Sequence, residues 1–266
     1  MPDAEIGDKI RFRFRKEGDL RLLSHHDLMR CVERMLRRAQ LPIRLSQGFH
    51  PSPRIIFAQS LPLGVAGVAE VLEVEFTHPL PLTETLQALN QQAPAGLILT
   101  TGKIISMKAN AVPRRAVYEF PIPAELEHDL AERCQNLLAL NAIWIDKLHP
   151  RPRRVNVRPY LRGLSIENQM LHLDTWITGQ GSIRADQMLV QLGLDEELAR
   201  GAILTRTWLE LHDEVLATDS ADAPPDGPPE SVPLEHVPAS VGDAVGDDTT
   251  PRNATWGLSP YGPVVE

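Results

Sequence analysis

The chain has 266 residues, 42% of them hydrophobic and 23% charged. That is enough to bury one large core or two ordinary ones, at a composition close to the globular average. No apolar run approaches the ~18 residues of a membrane span, and "MPDAEIGDKIRFRFRK" has neither a signal peptide's apolar segment nor a transit peptide's arginine-rich, acid-poor character. Cys31 and Cys134 stand far apart without a CxxC partner, which speaks against a disulfide framework, an iron–sulfur cluster or a cysteine zinc site, and the reducing cytoplasm is the expected compartment.

The net charge of −8 belongs to one end of the chain. From His212 onward eleven Asp or Glu face a single Arg252, while residues 1–211 hold 26 basic and 24 acidic side chains. The same stretch carries nine of the 23 prolines and no sustained period, so 212–266 is expected to be a disordered, acidic, proline-rich tail. Trp256 and Tyr261 near its end could serve a short docking motif, although a frayed terminus is the ordinary expectation.

In chain order, "KIRFRFRKEG" alternates Ile10, Phe12 and Phe14 with Arg11, Arg13 and Arg15, the pattern of a half-buried strand. Ser24 is a candidate N-cap for the helix that follows, with Asp27 three residues on, Leu28, Val32, Met35 and Ala39 on one face, and Pro42 at the end. "RIIFAQ" and "AEVLEVEF" are predicted strands joined through "SLPLGVAG". "TETLQALNQQA" is predicted helical with Leu82, Leu86 and Leu89 inward, and "LILTTGKIIS" is a fourth strand. This order is that of a ferredoxin-like β-α-β-β-α-β unit over 8–108.

Past a boundary in "MKANAVPRR" the order returns over 115–211. "AVYEFPI" is a strand, "AELEHDLAERCQNLLAL" a helix and "AIWIDKL" a strand. "LSIENQMLHLDTWI" reads as a hairpin or a pair of short strands around Asn168 and Gln169, "RADQMLVQLG" as a helix closed by Gly193, and "GAILTRTWLEL" as the last strand. The expected fold class is α+β, two ferredoxin-like units in tandem, with extra strand material around 150–177.

Two arginine patches and one loop carry the candidate chemistry. Arg30, Arg34, Arg37 and Arg38 fall on one side of the first helix, opposite its apolar stripe, where guanidinium forks suit phosphate oxygens and stack on bases. "LSQGFHPSPR" follows, with Gly48, Pro51 and Pro53 shaping a rigid turn and Gln47, Phe49, His50 and Arg54 available for contact. "RPRRVNVRPYLRG" gives Arg151, Arg153, Arg154, Arg158 and Arg162 with Tyr160 and no acid, a composition that suits RNA. The competing use of these arginines is a protein interface or an intramolecular partner for the acidic tail. His25 and His26 at the helix N-terminus, His50 in the loop and Glu70 form a looser catalytic candidate set. No metal-ligand spacing is present, and Asp146 with His149 is a weaker pair of the same kind.

The stretch Ser24 to Phe76, "SHHDLMRCVERMLRRAQLPIRLSQGFHPSPRIIFAQSLPLGVAGVAEVLEVEF", resembles an uncharacterised radical-SAM-linked protein family. The matching positions include Ser24, His25, Asp27, Arg30, Arg38, Gln47, Gly48, Phe49, Pro51, Pro53, Leu61, Pro62, Gly64 and Glu70. His26 stands where the family usually has an apolar residue. The likeness continues more thinly through "GSIRADQMLVQLGL", with "RADQM" in place of "RPDE", and leaves the tail uncovered. The resemblance implies an accessory or substrate-recognition protein that works beside a radical SAM enzyme. That partner would carry the iron–sulfur cluster and S-adenosylmethionine, and this chain would carry no cofactor. The arginine patches make RNA, tRNA or rRNA, the expected substrate, with no membrane involved. The alternatives are a ferredoxin-like endoribonuclease or RNA-modifying enzyme using His25, His26 or His50, and a pure protein-interaction module that docks the radical SAM partner.

Overall fold

In the computed structural model, residues 7–147, 151–215 and 223–234 are described. The first half contains β1 (Lys9–Lys16), α1 (His25–Arg38), β2 (Ile55–Phe57), β3 (Ala66–Glu75), α2 (Leu82–Gln92) and β4 (Leu97–Ile105). The second contains β5 (Pro113–Pro121), α3 (Glu127–Ala139), β6 (Trp144–Lys147), β7 (Arg153–Asn156), β8 (Leu161–Glu167), β9 (Met170–Trp176), α4 (Ala185–Gln191), α5 (Asp195–Ala199) and β10 (Thr205–Leu211), and β11 (Ser231–Pro233) follows. Among the described residues no helix is long and apolar enough to cross a membrane.

Alternation in β1 works as the sequence predicts on its inner face. Ile10, Phe12 and Phe14 are buried against Leu28, Val32, Met35 and Leu36 of α1, with Leu72 and Val74 of β3 beside them. Each such large side chain contributes about 1.5–3 kcal/mol by leaving water. α1 starts where expected: the Ser24 hydroxyl accepts from the Asp27 amide at 3.2 Å and donates to the Asp27 carboxylate at 2.7 Å. It stops before Pro42, because Gln40 takes a positive φ of 55° and ends the helical path.

The architecture is mixed α+β, and its main sheet joins both halves. The path runs β4-β1-β3-β10-β5-β9-β8, with β2 also paired to β3. Within the first half β4, β1, β3 and β2 are neighbours in that order, all antiparallel. Within the second half β10, β5, β9 and β8 stand in the corresponding order, again antiparallel. The two sets meet where β3 runs parallel to β10, Ala66 opposite Thr205 and Gly67 opposite Arg206.

Three expectations need correction. "AIWIDKL" is not a strand of the main sheet. Its core, β6, pairs with β7 in a separate three-stranded sheet, β11-β7-β6, because β8 takes the place beside β9 through the tight turn at Asn168 and Gln169, both at positive φ. Secondly, part of the acidic tail is ordered. Asp213 and Glu214 lie in a single turn of 3-10 helix, held by Arg11 and Arg13 of β1, and β11 covers the edge of β7. Residues 216–222 and 235–266, with Trp256 and Tyr261, lie outside the described residues. Thirdly, Arg11 and Arg13 do not face open water. Arg11 bridges Glu73 at 2.9 Å and Asp213 at 2.8 Å. Arg13 donates to the carbonyls of Ala69 and Leu209 and lies 4.0 Å over the Trp208 ring.

At the junction sits a buried ion pair. Arg206 donates through Nε to Glu70 at 2.7 Å and through its second fork to the other carboxylate oxygen, with both side chains almost wholly enclosed. Burial works against the guanidinium charge, but Glu70 and then Tyr118 outweigh it, so the Arg206 pKa is raised. Gly67 makes the room: a Cβ there would lie 2.6 Å from Glu70 Cγ. Glu70→Ala, which strands the Arg206 charge, is expected to cost roughly 3–5 kcal/mol, read as a lower denaturation midpoint. Glu70→Leu with Arg206→Met should recover most of that loss.

Candidate functional site

The loop after α1 is a closed excursion from the sheet. Its base is pinned by Arg54 N–H to the Arg44 carbonyl at 2.9 Å, and by Ser46 N–H to the Ser52 carbonyl at 2.8 Å. The Ser46 hydroxyl also accepts from the Ser52 amide at 2.9 Å. Pro51 and Pro53 stiffen the return limb. At the tip Gly48 adopts φ 129°, which a side chain would disfavour. Phe49 beside it is fully exposed, a large apolar ring with no protein surface under it. Gln47 and His50 are exposed on the same tip.

Between this loop and α1 runs a groove of about 310 Å³, lined by His26, Met29, Arg30, Glu33 and Arg37 on the helix and by Pro51, Ser52, Pro53 and Ile55 opposite. The structure thus joins the two segments that the sequence singles out. Arg30 lies 3.6 Å from Asp27, and Arg37 pairs with Glu33 at 2.6 Å. Such exposed pairs are weak, so both guanidinium groups can turn to a stronger anion. Arg34 is exposed and has no ion pair among the described residues. Arg38 is anchored to the Gln92 carbonyl at 2.6 Å, and Arg54 lies 3.4 Å from Glu75.

The catalytic candidates separate. His25 is half-buried, edge-on to Phe57 with ring centroids 5.4 Å apart and 6.1 Å from the His26 ring. Burial lowers its pKa, with His26 and Lys16 adding to the effect. His26 lines the groove, whereas His50 sits on the loop tip outside its lining. Glu70 is not available to any of them, since its carboxylate is enclosed with Arg206. Among the described residues no group of three His, Cys, Asp or Glu is placed to hold a metal ion. Burial also pushes the Cys134 thiol up to about 11, which leaves it unreactive at neutral pH.

The second arginine patch is dispersed. Tyr160 is buried, its hydroxyl donating to the Gly227 carbonyl at 3.4 Å. Arg158 is spent on the carbonyls of Leu138, Leu140 and Leu161 at 2.7–3.1 Å. These two are structural and must be struck from the predicted contact surface. Arg162 pairs with Asp174 at 2.5 Å beside the Trp176 ring, and Arg154 with Asp146 at 2.6 Å. Arg151 and Arg153 are exposed, and His149 lies outside the described residues.

A cleft at the junction of the halves escapes sequence analysis. Two adjoining hollows of about 400 and 370 Å³ share Pro62, Leu63, Val65, Arg184, Asp186 and Leu204. One wall is the "SLPLGVAG" connection and the other is the start of α4 with the segment before β10. The available signal was that both "LPLG" and "SIRAD" carry the family likeness while neither has an obvious role as a connection.

The His25 environment has a measurable consequence. The unfolded chain binds the proton more readily than the folded one, so this group's contribution to stability is intact above about pH 6.5 and is lost as pH falls below it. An NMR titration should find the His25 midpoint below the ordinary 6.5, and His25→Gln should flatten that part of the stability–pH curve.

No curated protein matches the chain. One solved structure that aligns, of a candidate glycine cleavage system transcriptional repressor, is 12% identical. It covers 75% of this chain and 96% of its own at a TM-score of 0.23, too low to bear on fold or function. A family model described as "Uncharacterized protein conserved in bacteria" matches residues 9–189, which span α1, the loop and most of the junction cleft. The chain therefore belongs to that bacterial family, DUF2344.

Proposed function

We propose that the chain is an accessory RNA-recognition protein, not itself catalytic, that presents RNA to a radical SAM enzyme in the cytoplasm. We further read its halves, 8–108 and 115–211, as two ferredoxin-like units. The recurrence of β4-β1-β3-β2 order as β10-β5-β9-β8 supports the second statement, with β6 and β7 an insertion between α3 and β8. The first rests on one observation: a fully exposed Phe49 on a stiffened loop, beside a groove whose helix wall carries Arg30 and Arg37. An unsupported aromatic next to guanidinium groups suits an unpaired base and its phosphates, the ring stacking and the arginines bearing on the backbone. The radical SAM partner comes from the sequence resemblance, in which Gln47 to Pro53 and the α1 arginines take part.

The full chain titrated into single-stranded RNA at several salt concentrations tests this. Affinity should fall with salt at a logarithmic slope of roughly −0.7 per phosphate contact. Arg30→Glu with Arg34→Glu should flatten the slope by at least one contact. Phe49→Ala should leave the slope intact and weaken binding by about 1–3 kcal/mol, the usual worth of one stacked base. No binding at low salt would overturn the RNA proposal and leave the loop and α1 face as a protein-docking surface.

A further inference from the structure

Three charged residues at the root of the loop are held together by their own backbones. Arg44 N–H donates to the Glu75 carbonyl at 2.8 Å, Glu75 N–H to the Arg54 carbonyl at 3.0 Å, and Arg54 N–H to the Arg44 carbonyl at 2.9 Å. This closed ring of bonds sets the three side by side, and all of them line one hollow of about 710 Å³ together with Leu45 and Gln47. The hollow lies on the Leu45–Gln47 side of the loop and the α1 groove on the Pro51–Pro53 side, with no lining residue in common. Polar capacity inside it goes unused. Glu75 is only 6% exposed, yet among the described residues its carboxylate has a single polar contact, Arg54 Nε at 3.4 Å. Lys9, opposite it on β1, is spent on Glu73 and the Ala109 carbonyl. Arg44 has no ion pair among the described residues, and its Nε is buried without an acceptor. An acceptor and a donor, both short of partners, thus wait in one preformed hollow, where leaving them unmet is costly.

We propose that this hollow takes a guanine base of the bound RNA, an inference that rests on RNA recognition by the adjoining loop. Guanine presents two adjacent donors, N1–H and the N2 amine, which one carboxylate accepts together, and beside them the acceptors O6 and N7, which suit a guanidinium fork. Glu75 accepts the first pair and Arg44 donates to the second, while Arg54 holds the carboxylate in place. Adenine would turn its N1 acceptor toward the same carboxylate, and a phosphate would meet Glu75 as a like charge, so neither satisfies both groups. Leu45, half exposed, offers apolar surface to the face of the base. Gln47 joins the hollow to the loop tip two residues on, so one nucleotide can stack on Phe49 while its neighbour enters the hollow.

Fluorescence anisotropy of the full chain with short oligouridine RNAs that carry one central guanosine, adenosine, inosine or 7-deazaguanosine tests the assignment. The guanosine oligonucleotide should bind about tenfold or more tightly than the adenosine one. Inosine, which lacks the N2 amine, and 7-deazaguanosine, which lacks the N7 acceptor, should each give back a large part of that factor. Glu75→Gln and Arg44→Gln should each bring guanosine and adenosine to within about threefold of one another. The two replaced nucleosides probe the same contacts without altering the protein, so a variant that folds poorly does not decide the matter. Equal affinity for guanosine and adenosine overturns the guanine assignment and leaves the RNA reading standing. No binding of any oligonucleotide overturns that reading and this inference with it. A guanosine preference that survives both inosine and Glu75→Gln overturns the placement in this hollow.

Discussion

The halves of this molecule are held in register by the ion pair between Glu70 and Arg206. β3 and β10 are paired over two positions only, too few backbone bonds to fix how one antiparallel set meets the other. The enclosed carboxylate and guanidinium supply what the short ladder lacks, because a slip of one residue would leave both charges buried and unmatched. Arg206 also lies 3.5 Å from the carbonyls of Gln59 and Ser60, at the start of the segment that walls the junction cleft. One side chain thus ties the sheet's weakest seam to the shape of the cavity beside it. Lys16 sits in the same enclosure, its ammonium donating to the Leu23 carbonyl at 2.9 Å. Burial lowers its pKa, Glu70 pulls it back and Arg206 lowers it again. The strand, the entry to α1 and the seam therefore share one electrostatic neighbourhood.

Arginine has two fates in this chain, decided by what lies within reach. On the outer face of the sheet, Arg11, Arg115 and Arg162 are committed to Glu73, Asp174, Glu210 or Asp213, and Lys9 is pinned by Glu73 and by the linker carbonyl of Ala109. These groups brace strands. On α1, Arg30 and Arg37 pair only with acids one turn away along the helix, Arg38 reaches Gln92 of α2, and Arg34 has no ion pair among the described residues, so there the positive charge remains at the surface. Residue type alone does not distinguish the two sets, since neighbours in β1 and α1 look equally basic in sequence.

What was legible follows from how local each determinant is. The limits of β1, α1 and α2 and the hairpin at Asn168 and Gln169 depend on period, capping and turn chemistry within a few residues, and each is readable from the chain. The placement of β6 is not, because a short apolar strand carries no mark of which sheet it will join. Competition from β8, some twenty positions on, decides the matter. Glu70 misled for a related reason: a carboxylate near two histidines suggests chemistry until Arg206, remote in sequence, is found to enclose it. The loop from Leu45 to Arg54 and the α1 face could be nominated from composition, but the full exposure of Phe49 could not, since the same ring would equally suit a plug between helix and sheet.

β11 has a bearing on how this protein is handled in pieces. Ser231–Pro233 caps the outer edge of β7, and Asp213 with Glu214 neutralises Arg11 and Arg13 a short way upstream. Both devices lie in what composition would mark as a dispensable acidic extension. A fragment cut at Leu211 would bare an unpaired strand edge, an invitation to self-association, and would remove the carboxylates of Asp213 and Glu214 from Arg11 and Arg13. Its appetite for any polyanion would be an artefact of the cut. The start of the acidic stretch is thus part of the fold it follows.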